Sequence, residues 1–231
     1  MFEILSECYK NYNTSTPTNS VRQNNKTRPK PTPKRQYSMD QDAYAIPPNL
    51  PDFESFKYMT LTEATKQHKI IDKHGKSVGD IETAYKCFEA YANLTKTNTA
   101  NRNQIKAKYY KAYYISRGLV KAPKDKDKIV AELFKEVADD EANEFPEAKV
   151  RYGDCLYNGK GVEQDFPKAL EYFERAADDG FKVAMYNAGN LYWNGIVGAK
   201  DMKRATHYMK LAAYNDYDAA VKFCKEHNIS L

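Results

Sequence analysis

The chain has 231 residues, 42% of them hydrophobic, and a formal net charge of +5 from 36 basic and 31 acidic side chains. This length allows one domain, or one domain with a tail, and the hydrophobic content supports a core. Because basic and acidic residues are interleaved, the composition argues against a nucleic-acid-binding protein. No run reaches the ~18 apolar residues of a membrane span, and residues 1–12 lack the basic start of a secretory signal.

Residues 1–51 are predicted to form a disordered basic tail, with a short helix as an option over residues 1–12. Asn, Thr, Ser and Pro dominate this stretch, so it has little apolar surface to bury. Prolines space the basic residues of the segment 26–35 and favour an extended chain. A solvated tether is the main interpretation. An import signal, a patch for anionic membrane or nucleic acid, and a kinase substrate at Ser38 are the alternatives.

From residue 52 onward an alanine in a first helix is followed eleven residues later by a glycine, at Ala64/Gly75, Ala107/Gly118, Ala148/Gly159 and Ala184/Gly195. Each second helix repeats an apolar spacing of four, which is typical of one buried helical face. The four sets are Ala84-Phe88-Ala92, Val130-Phe134-Ala138, Ala169-Phe173-Ala177 and Ala205-Met209-Ala213. The spacing predicts helix pairs at 64–106, 107–147, 148–183 and 184–219, longer loops at 95–103 and 139–146, and a capping helix at 220–231.

The stretch 148–220 contains one pattern of 36 residues twice, which is the signature of a helical repeat. In the first copy Asp165 suits a helix N-cap before Pro167, and Gly180 suits a helix end. The second copy has Asp216 in place of that closing glycine. The order Ala, Gly, Tyr, Gly-x-Gly-Val, Asp, Lys-Ala, Tyr-Phe, Ala-Ala, Gly resembles the Sel-1-like repeat, a tetratricopeptide-like helix pair.

This resemblance implies an all-α, right-handed superhelix (α solenoid) of about four helix pairs plus the capping helix. It also implies a scaffold in signalling or protein quality control. Some relatives have cysteine pairs that bridge the helices of each repeat. Here the four cysteines lie far apart, which favours a reducing, cytoplasmic setting, or the nucleus if the tail is an import signal. Relatives are often joined to protein kinases, and some have been described as β-lactam hydrolases, but this chain has neither kinase motifs nor a nucleophile with a positioned base.

The titratable residues form no catalytic or metal-binding pattern. His68 and His74 are six residues apart, so they lie on different helix faces, and no cysteine or acid stands at ligand spacing. Both are expected at the surface. The acidic runs at 139–141 and 178–179 are expected to be solvated. We therefore expect no enzyme, no cofactor and no metal.

A partner-binding face is predicted on the first helices, which line the concave side of stacked helix pairs. If Tyr152, Gly153 and Leu156 pack on the second helix, the next face carries a mixture of aromatic, amide and charged side chains. Such a mixture suits an extended peptide. The residues are Tyr109, Tyr113, Arg117, Asp154, Asn158, Tyr186, Asn190 and Asn194. Tyr157 and Trp193 fall on the same face, but packing between units is the preferred interpretation for both.

The sequence therefore predicts a non-enzymatic adaptor that binds other proteins or peptides, with no nucleic acid, no membrane span and the oligomeric state left open. The alternative is a regulatory fragment that acts with a protein kinase through its basic tail. A hydrolase ranks last.

Overall fold

The computed structural model describes residues 59–93 and 100–231, except for the side chains of residues 100 and 101. The tail predicted at 1–51, with its optional helix, lies outside the described residues. Within those ranges the chain forms nine α-helices: α1 Leu61–Ala64, α2 Ile81–Ala92, α3 Ala100–Ser116, α4 Lys126–Asp139, α5 Pro146–Asn158, α6 Phe166–Asp178, α7 Lys182–Asn194, α8 Met202–Tyr214 and α9 Asp218–Glu226. A 3-10 helix, Gln67–Lys69, follows α1.

Each helix packs mainly on its neighbours in sequence, which is the arrangement of a solenoid. The helices α1 to α8 form the four predicted pairs in order, and α9 caps the last pair. The expected all-α repeat superhelix is confirmed.

In the described ranges the one isolated β-bridge is antiparallel and joins Ile71 to Ser77. No described helix is long and apolar enough to cross a bilayer.

The large apolar residues of the second helices form the core, as predicted. Phe88, Phe134, Phe173 and Met209 occupy the same place in successive units, and each is at most 2% exposed. Close approach of the helices depends on glycine in the first helix. A Cβ added at Gly153 would lie 2.7 Å from Cε1 of Phe173, so only glycine lets α5 and α6 approach this closely.

The predicted N-cap at Asp165 is confirmed, and left-handed glycines end the first helices of the last two units. Asp165 and Asp201 each accept a hydrogen bond at 2.9 Å from the backbone N–H three residues later, which caps α6 and α8. Gly159 and Gly195 end α5 and α7 in the left-handed conformation, with φ of 64° and 66°. Asp216 adopts the same conformation, with φ of 56°, and so keeps the turn at a backbone cost that glycine would avoid.

The first unit departs from the prediction, because its first helix stops after one turn. Thr60 and Glu63 form a capping box that starts α1, and the 3-10 helix follows directly. At the positions equivalent to Tyr152, Gly153 and Leu156, three of the buried residues of α5, this unit has His68, Lys69 and Asp72. These polar side chains give a longer helix no apolar face to bury, and most helical stability comes from such burial.

The loop predicted at 95–103 is shorter than expected, because α3 begins at Ala100. A long-range contact supports this early start: Gln104 Nε2 donates a hydrogen bond of 3.1 Å to the carbonyl of Ala92, at the end of α2. No local pattern predicts such a contact. The loop predicted at 139–146 is present between α4 and α5.

Candidate partner-binding face

The eight residues predicted to bind a partner, here called the first-helix stripe, lie along α3, α5 and α7 or directly after α3. They differ in exposure. Three are exposed: Arg117, Asn158 and Asn194. Two are partly exposed: Tyr113 and Asp154. Three are buried: Tyr109, Tyr186 and Asn190. The stripe is therefore part surface and part packing.

The tyrosines of α3 contact both the first unit and the segment that leads into α5. The ring of Tyr109 stacks on Phe145, which precedes α5, with centroids 4.3 Å apart and planes 7° apart. Tyr113 places its ring 5.1 Å from the ring of His68. Tyr109 is buried by this packing, so of the two stripe tyrosines on α3 only Tyr113 stays partly exposed.

The sequence places His68 at the surface, and the structure shows that this expectation is wrong. The His68 ring is partly buried among three tyrosines of α3, at centroid distances of 5.1 to 6.0 Å: Tyr110, Tyr113 and Tyr114. Burial first, and the nearby cations second, lower the pKa of His68, so the ring is neutral at pH 7. The short α1 explains the position, because the chain turns back onto α3 immediately after it.

Asn158 and Asn194 repeat one arrangement at the ends of α5 and α7. Each donates a hydrogen bond from Nδ2 to the carbonyl four residues earlier, of Asp154 at 2.8 Å and of Asn190 at 2.9 Å. The bond fixes the side chain against the last helical turn while the residue stays exposed. Each amide therefore offers its Oδ1 atom and its second N–H to a partner.

Asn187 and Asn190 lie one turn apart on α7 and are buried, with 3% and 9% of their surface exposed. Oδ1 of Asn187 and Nδ2 of Asn190 have no hydrogen-bond partner among the described residues. Reasoning from the sequence selected Asn190 and missed Asn187. Its place one turn before Asn190 on the same helix face was the available signal. A buried amide atom without a partner costs free energy, so this pair requires an explanation.

The other aromatic residues near the stripe pack within or between units. Tyr186 meets the ring of Tyr217 at 5.2 Å. Trp193 lies edge-on to Phe223 of the capping helix at 4.9 Å, and Tyr157 lies 5.2 Å from the first residue of α6. The contact of Trp193 agrees with packing between units, whereas the contact of Tyr157 lies within its own unit.

Asp139, expected to be solvated, instead connects two second helices. Its Oδ1 accepts hydrogen bonds from Tyr172 Oη at 2.7 Å and Arg175 Nη1 at 3.2 Å, and its Oδ2 accepts one from Lys135 Nζ at 3.1 Å. Partial burial alone would raise the pKa of Asp139, but these hydrogen bonds outweigh it and hold the pKa below its usual value. The carboxylate therefore stabilises the contact between α4 and α6.

The described cysteines are core residues. Cys87, Cys155 and Cys224 are buried free thiols, and burial raises the pKa of Cys87 and of Cys155 to about 12. Both thiols are protonated at neutral pH and are poor nucleophiles. Across residues 59–93 and 100–231, no group of three or more His, Cys, Asp or Glu side chains is arranged to hold a metal ion.

Comparison with known proteins identifies the repeat. A family model described as Sel1 repeat matches residues 146–181 and 182–217. Over 75 residues the chain is 34% identical to Protein sel-1 homolog 2 of Mus musculus, a match that spans 32% of this chain and only 11% of that protein.

Two solved structures are also similar. The crystal structure of a Sel1 repeat protein from Oxalobacter formigenes has 25% sequence identity and a TM-score of 0.47, over 55% of this chain and 94% of that chain. The crystal structure of c5321, a protective antigen of uropathogenic Escherichia coli strains with an SLR fold, has 20% identity and a TM-score of 0.44, over 69% of this chain and 38% of that chain.

Proposed function

We propose that this chain, which is a Sel1-like repeat protein, is a non-enzymatic adaptor that binds extended segments of partner proteins along the first-helix stripe. The observation that carries the proposal is the buried pair Asn187 and Asn190, with an acceptor and a donor left without partners among the described residues. Folded proteins pair nearly all buried polar atoms. Packing of the repeat does not explain why α7 keeps two such atoms.

Both atoms are enclosed in the free chain, so we propose that the two amide side chains turn toward the stripe when an extended peptide binds, and that the peptide backbone then pairs with both. Asn187 Oδ1 accepts from a backbone N–H, and Asn190 Nδ2 donates to a backbone carbonyl. An extended segment presents such groups along its length, whereas a helix uses them internally. Binding would therefore recover the cost of burying the two amide atoms.

The exposed part of the stripe supplies further contacts. The fixed amides of Asn158 and Asn194 stand one repeat apart at the same end of successive first helices, so both can contact one extended chain. At the α3 end, Tyr113 offers part of its ring and Arg117 offers an exposed guanidinium. This combination favours a segment with an acidic or carboxylate group near its α3 end.

The adaptor role uses no catalytic step. Asp139, whose pKa is shifted, has a packing role, because its carboxylate joins α4 to α6. We place the adaptor in the cytoplasm, because Cys87, Cys155 and Cys224 are free thiols.

Replacing Asn187 and Asn190 together by leucine separates binding from folding. Leucine keeps the packing of α7 while removing the two unpaired polar atoms. We expect the Tm of the full chain to stay the same or rise, whereas the set of proteins captured by the chain in a pulldown analysed by mass spectrometry shrinks.

The matched control is Asn215→Ala. Asn215 Nδ2 also donates to a carbonyl four residues earlier, at 2.8 Å, but Asn215 follows α8, a second helix, and is not one of the eight stripe residues. A lower Tm for the double leucine variant would show that the amides are structural. Capture of the same proteins by the wild type and by both variants would contradict binding at the stripe.

A further inference from the structure

Residues 70–78, here called the basic hairpin, form a tight turn in the first unit. The N–H of Val78 donates to the carbonyl of Ile70 at 2.9 Å. The Asp72 carboxylate accepts two backbone N–H bonds from the tip, at 2.8 and 2.9 Å, and Gly75 turns the chain with φ of 77°. The hairpin is therefore held by its own hydrogen bonds.

Three aliphatic side chains of the basic hairpin are exposed. Ile70, Ile71 and Val78 are 42%, 61% and 55% exposed, and they are half of the six large hydrophobic residues exposed in the described ranges. Because the bridge pairs Ile71 with Ser77 and successive strand residues point to opposite faces, this aliphatic surface lies on both faces. A flat protein partner covers one face, whereas a fluid interface contacts both.

Positive charge surrounds these aliphatic side chains. The segment 66–78 contains four lysines and one acid, which gives 4 − 1 = +3 with histidine neutral. The lysines, all exposed, are Lys66, Lys69, Lys73 and Lys76. Within the described part of the chain none of them takes part in an ion pair. Lysine commonly protects an exposed strand edge, but protection does not account for three exposed aliphatic residues.

We propose that the basic hairpin docks on an anionic membrane surface. Its aliphatic side chains enter the boundary between headgroups and acyl chains, and the four lysines of segment 66–78 bind the lipid phosphates. Aliphatic side chains flanked by lysines are the combination that gives peripheral binding to anionic lipid. Lysine stems are long enough to keep the ammonium groups at the phosphate level while the aliphatic residues lie deeper. This contact is independent of partner binding on the first-helix stripe.

The test is flotation of the full chain with phosphatidylcholine vesicles that contain phosphatidylserine, against vesicles of phosphatidylcholine alone. We expect binding to the anionic vesicles only, weakened by salt. Ile71→Asp with Val78→Asp should weaken binding by about tenfold or more, and Lys69→Glu with Lys73→Glu by about fivefold or more for each lysine. Met202→Asp, at a residue 45% exposed on α8, is the matched apolar control, and Lys121→Glu with Lys124→Glu is the matched charge control.

An Ile71→Trp variant reports insertion directly. On anionic vesicles the fluorescence of this tryptophan should shift to the blue, and brominated lipid should quench it. The signal of Trp193 is expected to stay constant and serves as the background. Binding that survives Ile71→Asp with Val78→Asp, or an Ile71→Trp spectrum that vesicles do not change, would overturn the proposal by assigning the contact to another basic segment. Binding of the hairpin to poly-glutamate but not to vesicles would also overturn it, in favour of a soluble acidic partner.

Discussion

The first and third units share one skeleton of alanine, glycine and phenylalanine, yet they fold their first halves differently. In the third unit, α5 runs from Pro146 to Asn158 and ends at a left-handed glycine. In the first unit, α1 stops at Ala64, and the left-handed glycine, Gly75, lies in a hairpin instead. The second helices of both units bury their phenylalanine completely.

This difference shows which residues specify the helix pair. The spacing of alanine and glycine sets where the first helix packs and where the chain turns toward the second helix. The apolar side chains between them decide whether the first helix forms. His68, Lys69 and Asp72 replace that apolar face in the first unit. The freed segment becomes the basic hairpin, and the His68 ring packs on α3 in place of the missing helix.

The largest expected effect comes from Phe173→Ala in the third unit. Phe173 is fully buried and fills the space that Gly153 leaves, so its removal creates a cavity. We expect the free energy of unfolding to fall by about 3–5 kcal/mol, measured by urea denaturation followed by circular dichroism. An unchanged midpoint would contradict the buried role.

Phe88→Ala is the matched change in the first unit. Phe88 contacts the rings of Tyr110 and Tyr114 at 5.4 and 5.0 Å, and in a solenoid each unit depends only on its neighbours. We therefore expect faster hydrogen exchange in residues 59–93 while α5 to α9 keep their protection. Equal loss of protection in all units would show that the array unfolds as one body.

A smaller effect is expected for Asp216→Gly, which restores the closing glycine of the repeat. Asp216 has φ of 56°, and a left-handed conformation costs a non-glycine residue about 1–2 kcal/mol. The turn itself is kept, so the variant should raise the Tm. Gly180→Asp, the reverse change at φ of 85°, should lower it. A lower Tm for Asp216→Gly, or a higher Tm for Gly180→Asp, would contradict the equivalence of the two turns.

The smallest effect concerns pH. Because hydrogen bonds hold the pKa of Asp139 below its unfolded value, Asp139 stabilises the fold above about pH 4 and loses this contribution as the pH falls below that value. Its side chain is 35% exposed, so solvent screening limits the contribution to about 1 kcal/mol or less. Asp139→Asn should therefore flatten the dependence of Tm on pH between about pH 5 and pH 3. An unaltered slope would show that Asp139 makes no such contribution.

Much of this fold was predictable from the sequence, because the repeat period is visible in the types and spacing of the residues. The caps Asp165 and Gly159 and the contact of Gly153 with Phe173 follow from residue type and spacing. The hairpin was missed because the Ala64 and Gly75 spacing matched the skeleton while the residues between them did not.

The eight positions of the first-helix stripe follow from the repeat, but the repeat does not indicate which of them are exposed to a partner. Burial of Tyr109 depends on its stacking with Phe145, which lies before α5 and which residue spacing along α3 does not indicate. The unpaired state of Asn187 depends on what neighbouring units place around α7. Both are properties of contacts between units, which residue spacing along one helix does not encode.

The most direct test of the adaptor account is photo-crosslinking from a single position of the stripe. A photoreactive amino acid at Asn194 in the full chain, followed by mass spectrometry, should give crosslinks to extended segments of partner proteins, and these should disappear in the background Asn187→Leu with Asn190→Leu. The same probe at Asn215 should give none of these crosslinks. Identical crosslinks from Asn194 and Asn215, or crosslinks that persist in the leucine background, would contradict binding along the first-helix stripe.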